Sequence, residues 1–303
     1  MAHFSIFGGD DSQAQWEVVM SLYEEDQLKE SYDIAMNSGV GMDAKHSSDF
    51  RLIEGEWLTR SKSKTEPISP DMGFEYIPDE VGRVLDELKQ SAVNACVKFS
   101  NIMHYHPKKK ILITILCMDA DTDWATNRWG YCENKTLYYK LCLPHHLTSD
   151  LDEFSSAVAH EFAHVICSEL SNEKAPLWLE ESICMYAEGG IDKSTQQDFI
   201  DDRVYWLIPE KLESALQTLD EIDDEQDVWA AYQQCAWIGE YIFREYGAEK
   251  IKQVLALHTE TKPIKQLFQN LIGSDLTNST IKKVFGVSTH TLFEKAYDAM
   301  TLC

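Results

Sequence analysis

An α+β fold is what this sequence predicts: a small mixed sheet with a helix carrying a His-Glu-x-x-His pattern, followed by an all-helical C-terminal part. Three observations carry that expectation. Strand-like patterns are confined to the first half, where Ile111 to Met118 is a continuous β-branched run and residues 136–143 alternate in polarity. From Asp150 to the C-terminus every periodic segment has helical spacing, with glycines and prolines as punctuation. The 303 residues, 44% apolar and 11% aromatic, are enough for one large or two modest domains.

Taken in order, residues 12–36 have helical apolar spacing through Trp16, Val19, Tyr23, Leu28, Tyr32 and Ala35, with Gly39 and Gly41 as stop signals. Residues 50–58 read as a possible strand, and Ser61 to Pro70 as a polar loop or linker, which puts a domain boundary near residue 75. Pro78, Asp79 and Glu80 then open a helix whose stripe runs through Val84, Leu88, Ala92, Ala95 and Phe99. The run 111–118 is a strand buried on both faces. Asp119 to Asp123 lacks the glycine and glutamate of a calcium loop, having Trp124 and Gly130 in their places. The alternation at 136–143 predicts a strand with one face buried, placed at a sheet edge where free backbone groups could pair with an extended peptide. His145 and His146, being adjacent, point apart and read as loop residues.

Leu151, Phe154, Val158, Phe162 and Val165 mark a helix over about 150–170, and Pro176 starts a second helix, 177–188, closed by Gly189 and Gly190. Ser194 to Gln197 is a capping-box start, and helices are expected at 227–246, 248–258, 263–271, 279–285 and after Ser288. The acidic run 220–225 reads as a solvated loop. Three parts follow: an accessory segment 1–75, an α/β subdomain 76–190 and a helical subdomain 191–303.

The chemistry concentrates at His160-Glu161-Phe162-Ala163-His164. On a helix the two histidines lie one turn apart on one face, so two imidazole nitrogens can converge on a single Zn²⁺; Glu161, about 100° round the axis, can hold a water beside it. The next helix brings Glu180 and Glu181, either of which could be the third ligand, and helical geometry alone does not choose between them. Three protein ligands leave a place for water, and Glu161 would serve as general base in amide hydrolysis. The competing reading is a helix with two ordinary surface histidines.

Residues 159–165, Ala-His-Glu-Phe-Ala-His-Val, followed by Pro-Leu-Trp-Leu-Glu-Glu-Ser-Ile-Cys-Met-Tyr-Ala-Glu at 176–188, resemble the gluzincin metallopeptidases of the MA clan. Their second helix typically reads Trp-Leu-x-Glu-Gly-x-Ala-x-Tyr-x-Glu. The resemblance implies a thermolysin-like catalytic fold, one zinc ion held by His160, His164 and Glu181, and a peptide or protein substrate, with 76–190 as the catalytic subdomain and 191–303 completing its cleft. Ser182 departs from the pattern's glycine. Sixteen residues separate His164 from Glu181, fewer than in aminopeptidase-N-type members and similar to the small "peptidase MA-like" domains. The segment Ala231 to Ile238 is similar to a helix in those relatives whose tyrosine helps stabilise an oxyanion, a role that falls on Tyr232, with a packing tyrosine as the alternative. Gly130-Tyr131-Cys132-Glu133-Asn134 resembles the segment with which aminopeptidases hold a substrate's free α-amine, which would make Glu133 substrate-binding. Residues 286–294 resemble the closing helix of these domains. Exopeptidase and endopeptidase action both remain open.

The formal net charge of −24 argues against nucleic acid or an anionic membrane surface as partner. The N-terminus lacks a secretory signal, and no stretch approaches the roughly 18 apolar residues of a membrane span, so a cytoplasmic protein is expected. Its eight cysteines, none in a Cys-x-x-Cys pair, are then free thiols. Two further functions stay in view: a zinc-stabilised module docking a protein partner through residues 1–75, and a non-peptide metallohydrolase. Glu161 favours an enzyme, since a structural zinc needs no general base.

Overall fold

A computed structural model describes residues 9–43, 46–82, 84–116, 130–201, 206–218, 225–259 and 269–302. The chain divides into two compact units, one formed by residues 1–90 and 108–151, the other by 91–107 and 152–303. This division differs from the three parts expected: the segment before residue 75 is not separate, because it supplies both helices and strands to the first unit.

In the first unit α1 (Gly9–Glu24), α2 (Leu28–Ser38) and α3 (Ser47–Arg60) bury Trp16, Val19, Tyr23, Leu28, Ala35, Phe50 and Ile53 together. The helical spacing read over 12–36 is shared between two helices parted at Asp26, whose φ of 61° cannot continue a right-handed helix. Residues 50–58 are helical rather than a strand, since Phe50, Ile53 and Trp57 recur at helical spacing and Ile53 is fully buried. Gly41 lets the turn before α3 pass close to Phe50, whose ring a Cβ would meet at 2.6 Å.

The sheet has the order β1-β2-β3-β5-β4, with β1 (Lys64–Ser69), β2 (Met72–Tyr76), β3 (Lys110–Leu116), β4 (Tyr131–Asn134) and β5 (Tyr138–Pro144). β2, β3 and β5 run parallel, with Phe74 opposite Ile113 and Ile113 opposite Leu141, while β1 and β4 pair antiparallel at the margins. Two expectations are corrected. The polar loop 61–70 contains β1, an outer strand that needs no alternating apolar face because it is mostly solvated. The 136–143 strand is internal, and the edge is β4. Alternation misled because Lys140 is a core residue: it is 0% exposed and its charge is met by Glu56 and Glu133. The calcium-like segment 119–123 lies outside the described residues.

α4 (Pro78–Val81) is a single turn, and α5 (Leu85–Met103) contributes to both units. The second unit otherwise contains α6 (Leu151–Ser171), α7 (Leu177–Glu188), α8 (Thr195–Asp201), α9 (Pro209–Gln217), α10 (Glu225–Thr259), α11 (Gln269–Phe285) and α12 (Thr289–Thr301). Gly247, at φ 73°, interrupts α10 at the expected stop, and Ser288 caps α12 by accepting from the Thr291 N–H at 3.1 Å. Most of the acidic run 220–225 and residues 263–268 lie outside the described residues.

Three contacts set the position of α7. Its Trp178 meets Phe293 of α12 edge-on at 5.1 Å, and its Tyr186 stacks on Phe243 of α10 at 3.8 Å. Gly239 of α10 lies directly against the Ser182 carbonyl, where a Cβ would come within 2.0 Å of the oxygen. Ser182 itself is buried and its hydroxyl donates back to the Trp178 carbonyl at 2.6 Å. A glycine does stand at this helix crossing, but on α10, which leaves room for a serine on α7.

Candidate active site

α6 carries His160, Glu161 and His164, and its apolar stripe Phe154, Val158, Phe162 and Val165 is buried as the spacing requires. α7 begins after Pro176, which offers no side-chain cap. The cap comes from α9 instead: Glu213 accepts from the backbone N–H of Leu177 at 3.2 Å and of Trp178 at 3.0 Å, two of the donors left free at a helix start. At the far end Gly189, at φ 80°, closes α7, and the Gly190 N–H returns to the Met185 carbonyl. Gln233 of α10 pins the turn that follows, accepting from the Asp192 N–H and donating to the Gly190 carbonyl, both at 3.0 Å.

α6 and α7 bring four carboxyl groups to two imidazoles. His160 Nδ1 is 2.9 Å from Glu188 Oε2, and His164 Nδ1 is 2.8 Å from Glu180 Oε1. With both Nδ1 atoms taken, the Nε2 atoms turn to the carboxylate between them: His160 Nε2 is 3.5 Å from Glu181 Oε2, and His164 Nε2 is 3.7 Å from Glu181 Oε1. Donors around a tetrahedral zinc at about 2.0–2.1 Å stand roughly 3.3 Å apart, so each of these two nitrogen–oxygen approaches, made to different oxygens of Glu181, is within a few tenths of an ångström of ligand spacing. Glu181 Oε2 is also buried, and His160 Nε2, at the long distance of 3.5 Å, is the neighbour it faces. The donor set, two imidazoles and a carboxylate with a carboxylate behind each imidazole, fits zinc.

The electrostatics agree with this geometry. Burial pushes the His160 imidazole toward its neutral form, but hydrogen bonds to Glu181 and Glu188 outweigh it and raise the pKa well above the ordinary value. His164 is likewise opposed by burial and raised to about 9 by the charge of Glu181 and the bond to Glu180. Burial would raise Glu181, yet the two histidines hold it below the usual carboxylate range. Glu161 is 4% exposed, and its burial raises its pKa, the direction a proton-shuttling carboxyl needs.

The structure thus gathers His160, His164 and Glu181, with Glu161 on the same helix as the two histidines. Tyr232 lies half-buried on α10, next to Gln233 and in the same unit. Glu133 belongs to the first unit, on β4, where it accepts from the Tyr23 hydroxyl at 2.6 Å and pairs with Lys140 and with Lys135, the latter at 3.5 Å. A substrate amine would have to take the place of those partners. Sequence reasoning gave no role to Glu188 or Glu213, and offered Glu180 only as the alternative third ligand. Glu188 had a signal: it stands seven residues after Glu181, two helical turns on along the same face. Glu213 had none.

Among the described residues no helix is long and apolar enough to cross a membrane. Cys96, Cys132, Cys142, Cys167, Cys184 and Cys235 are free. Residues 142–289, just under half of the chain, match the model of a family described as the Peptidase MA superfamily. That span holds every ligand candidate above and agrees with the resemblance carried by residues 159–188. No curated protein matches the chain.

Proposed function

We propose, from the match of residues 142–289 to the Peptidase MA superfamily, that the chain is a zinc-dependent metallopeptidase that holds one ion on His160, His164 and Glu181. The observation that carries this is the division of the imidazole nitrogens: Glu188 and Glu180 take both Nδ1 atoms, and both Nε2 atoms face Glu181. A zinc ion with three protein ligands supplies Lewis acidity at an open position, polarising a carbonyl and acidifying a water.

The rest falls to the chain's own residues. Glu161 accepts the proton of the attacking water and delivers it to the departing amine nitrogen; burial raises its pKa, the direction that role calls for. Glu180 and Glu188 fix the tautomer and ring orientation of the histidines, so that the Nε2 lone pairs stay aimed at the ion. Tyr232 donates its phenolic hydrogen to the carbonyl oxygen as negative charge builds there. The substrate is a peptide or protein, and the protein works in the cytoplasm.

Glu161→Gln tests the proposal. The variant should bind one zinc per chain and lose about 10²–10⁴-fold in turnover of a mixed peptide library, the usual worth of a general acid–base. A variant that hydrolysed peptides at the wild-type rate would refute the mechanism, and purified wild-type protein without zinc affinity would refute the assignment of the ligands. Comparing free with N-acetylated peptides separates exopeptidase from endopeptidase action.

A further inference from the structure

We propose that Cys184 is a second, sulfur donor at this metal centre, so that a thiophilic divalent cation is taken on His160, His164 and Cys184, whereas zinc is taken on His160, His164 and Glu181. The inference rests on the metal-centre reading just given and deepens it by naming a class of cation that the centre also accepts.

One nitrogen from each of His160 and His164 and the Sγ of Cys184 lie within 4.8 Å of one another. Around a tetrahedral ion with metal–nitrogen bonds of about 2.0–2.1 Å and metal–sulfur of about 2.3 Å, sulfur and nitrogen stand about 3.6 Å apart. Closing the set therefore takes roughly an ångström of movement shared among three side chains. Cys184 is three residues after Glu181, which places the two on neighbouring positions of one face of α7. The carboxylate and the thiol can thus address the same pair of imidazoles. Cys184 is fully buried, and Cys167, three residues after His164 on α6, hydrogen-bonds to it, so its sulfur is held at this place. In the pattern of the related second helix this position is alanine. The sulfur is a feature of this chain, not one required by the shared fold.

Chemistry then sorts the cations. Thiolate sulfur is a soft donor that favours soft ions, whereas carboxylate oxygen favours harder ones. On binding, the Cys184 S–H bond breaks, its proton leaves to solvent, and a sulfur lone pair forms the bond to the cation; no electrons are gained or lost. A cation held this way blocks hydrolysis by occupying the histidines.

Cadmium is the probe. One equivalent is added to the full-length chain; sulfur-to-metal charge transfer is read in the ultraviolet, and the cadmium nuclear resonance reports sulfur ligation without any substitution. The wild type should bind one cadmium, show the charge-transfer band and give a sulfur-shifted resonance. Cys184→Ala should bind one zinc as the wild type does and lose the band with cadmium, while Cys167→Ala keeps it. One cadmium bound with no band and no sulfur-shifted resonance overturns the inference and leaves the zinc reading standing. A band that survives in Cys184→Ala also overturns it, whereas a chain that binds neither ion removes the zinc reading and the inference together.

Discussion

Replacing Gly239 by alanine tests the link from packing to metal binding. The new Cβ would lie 2.0 Å from the Ser182 carbonyl oxygen, about 1.4 Å inside ordinary contact distance. That oxygen belongs to the backbone of α7 and cannot rotate away, so α7 and α10 must part. Overpacking in a well-filled interior typically costs 1–3 kcal/mol, and a rigid neighbour puts this site at the upper end, about 3 kcal/mol. For a body the size of the second unit each kcal/mol lowers the melting temperature by roughly 2–4 °C, which gives a drop of about 6–12 °C. Because Glu181 directly precedes Ser182, the same displacement lengthens its 3.5 and 3.7 Å approaches to the two histidines, and zinc affinity falls with stability. Calorimetry of the zinc-free protein and competition against a chelating dye read the two effects. Gly189→Ala is the control, with φ of 80° but nothing within 4 Å of its Cβ, so it strains the backbone by about 1–2 kcal/mol without moving α10. If Gly239→Ala melted no lower than Gly189→Ala and bound zinc as tightly as wild type, the close crossing would not be what positions Glu181.

Glu188→Ala and Glu180→Ala should each weaken zinc binding about 10- to 100-fold, with circular dichroism unchanged, because each leaves one Nδ1 without its partner. In the zinc-free protein His164 has its pKa raised from 6.5 to about 9 by Glu181 and Glu180 against the pull of burial. Its contribution to stability is therefore complete below pH 6.5 and lost as pH rises toward 9; melting curves of chelated protein should fall across that window. Lys140→Met should lower the stability of the first unit by about 3 kcal/mol in chemical denaturation, the lower end for breaking a buried pair, since Glu56 keeps Arg60 at 3.3 Å and Glu133 keeps Lys135 at 3.5 Å.

What could be read from the sequence was local. α6 and α7 follow from apolar spacing, Pro176 and the paired glycines, and His160 and His164 become candidate ligands from the His-Glu-x-x-His pattern set on a helix. The choice of Glu181 over Glu180 needed the family pattern, and the structure accounts for both residues: one faces the Nε2 atoms and the other holds an Nδ1. The misreadings arose where a residue's environment is set by distant partners. Lys140 looks like a solvent-facing position until Glu56, 84 residues away, is placed beside it. β1 carries no apolar alternation because an outer, solvated strand is held by its ladder to β2. The cap that Glu213 supplies to α7 rests on a meeting of helices that no single-chain pattern encodes.

The register of α6 against α7 explains why three acids of one short helix divide the work as they do. The pairs His160–Glu188 and His164–Glu180 run in opposite order along the two helices, as an antiparallel pair requires, and Glu181 is left facing the gap between the rings. Together with Glu161 these acids bring four negative charges, when ionised, to two imidazoles that are neutral unless protonated. Among the described residues no lysine or arginine pairs with any of the four. Such a cluster needs positive charge, and it can take it in two equivalent ways, as two protons on the histidines or as one dication between them. The raised histidines are the first way. A helix with two ordinary surface histidines would have no cause to raise them. Under the proposed zinc site the ion displaces those protons, so affinity for a divalent ion should climb with pH until the imidazoles have given them up.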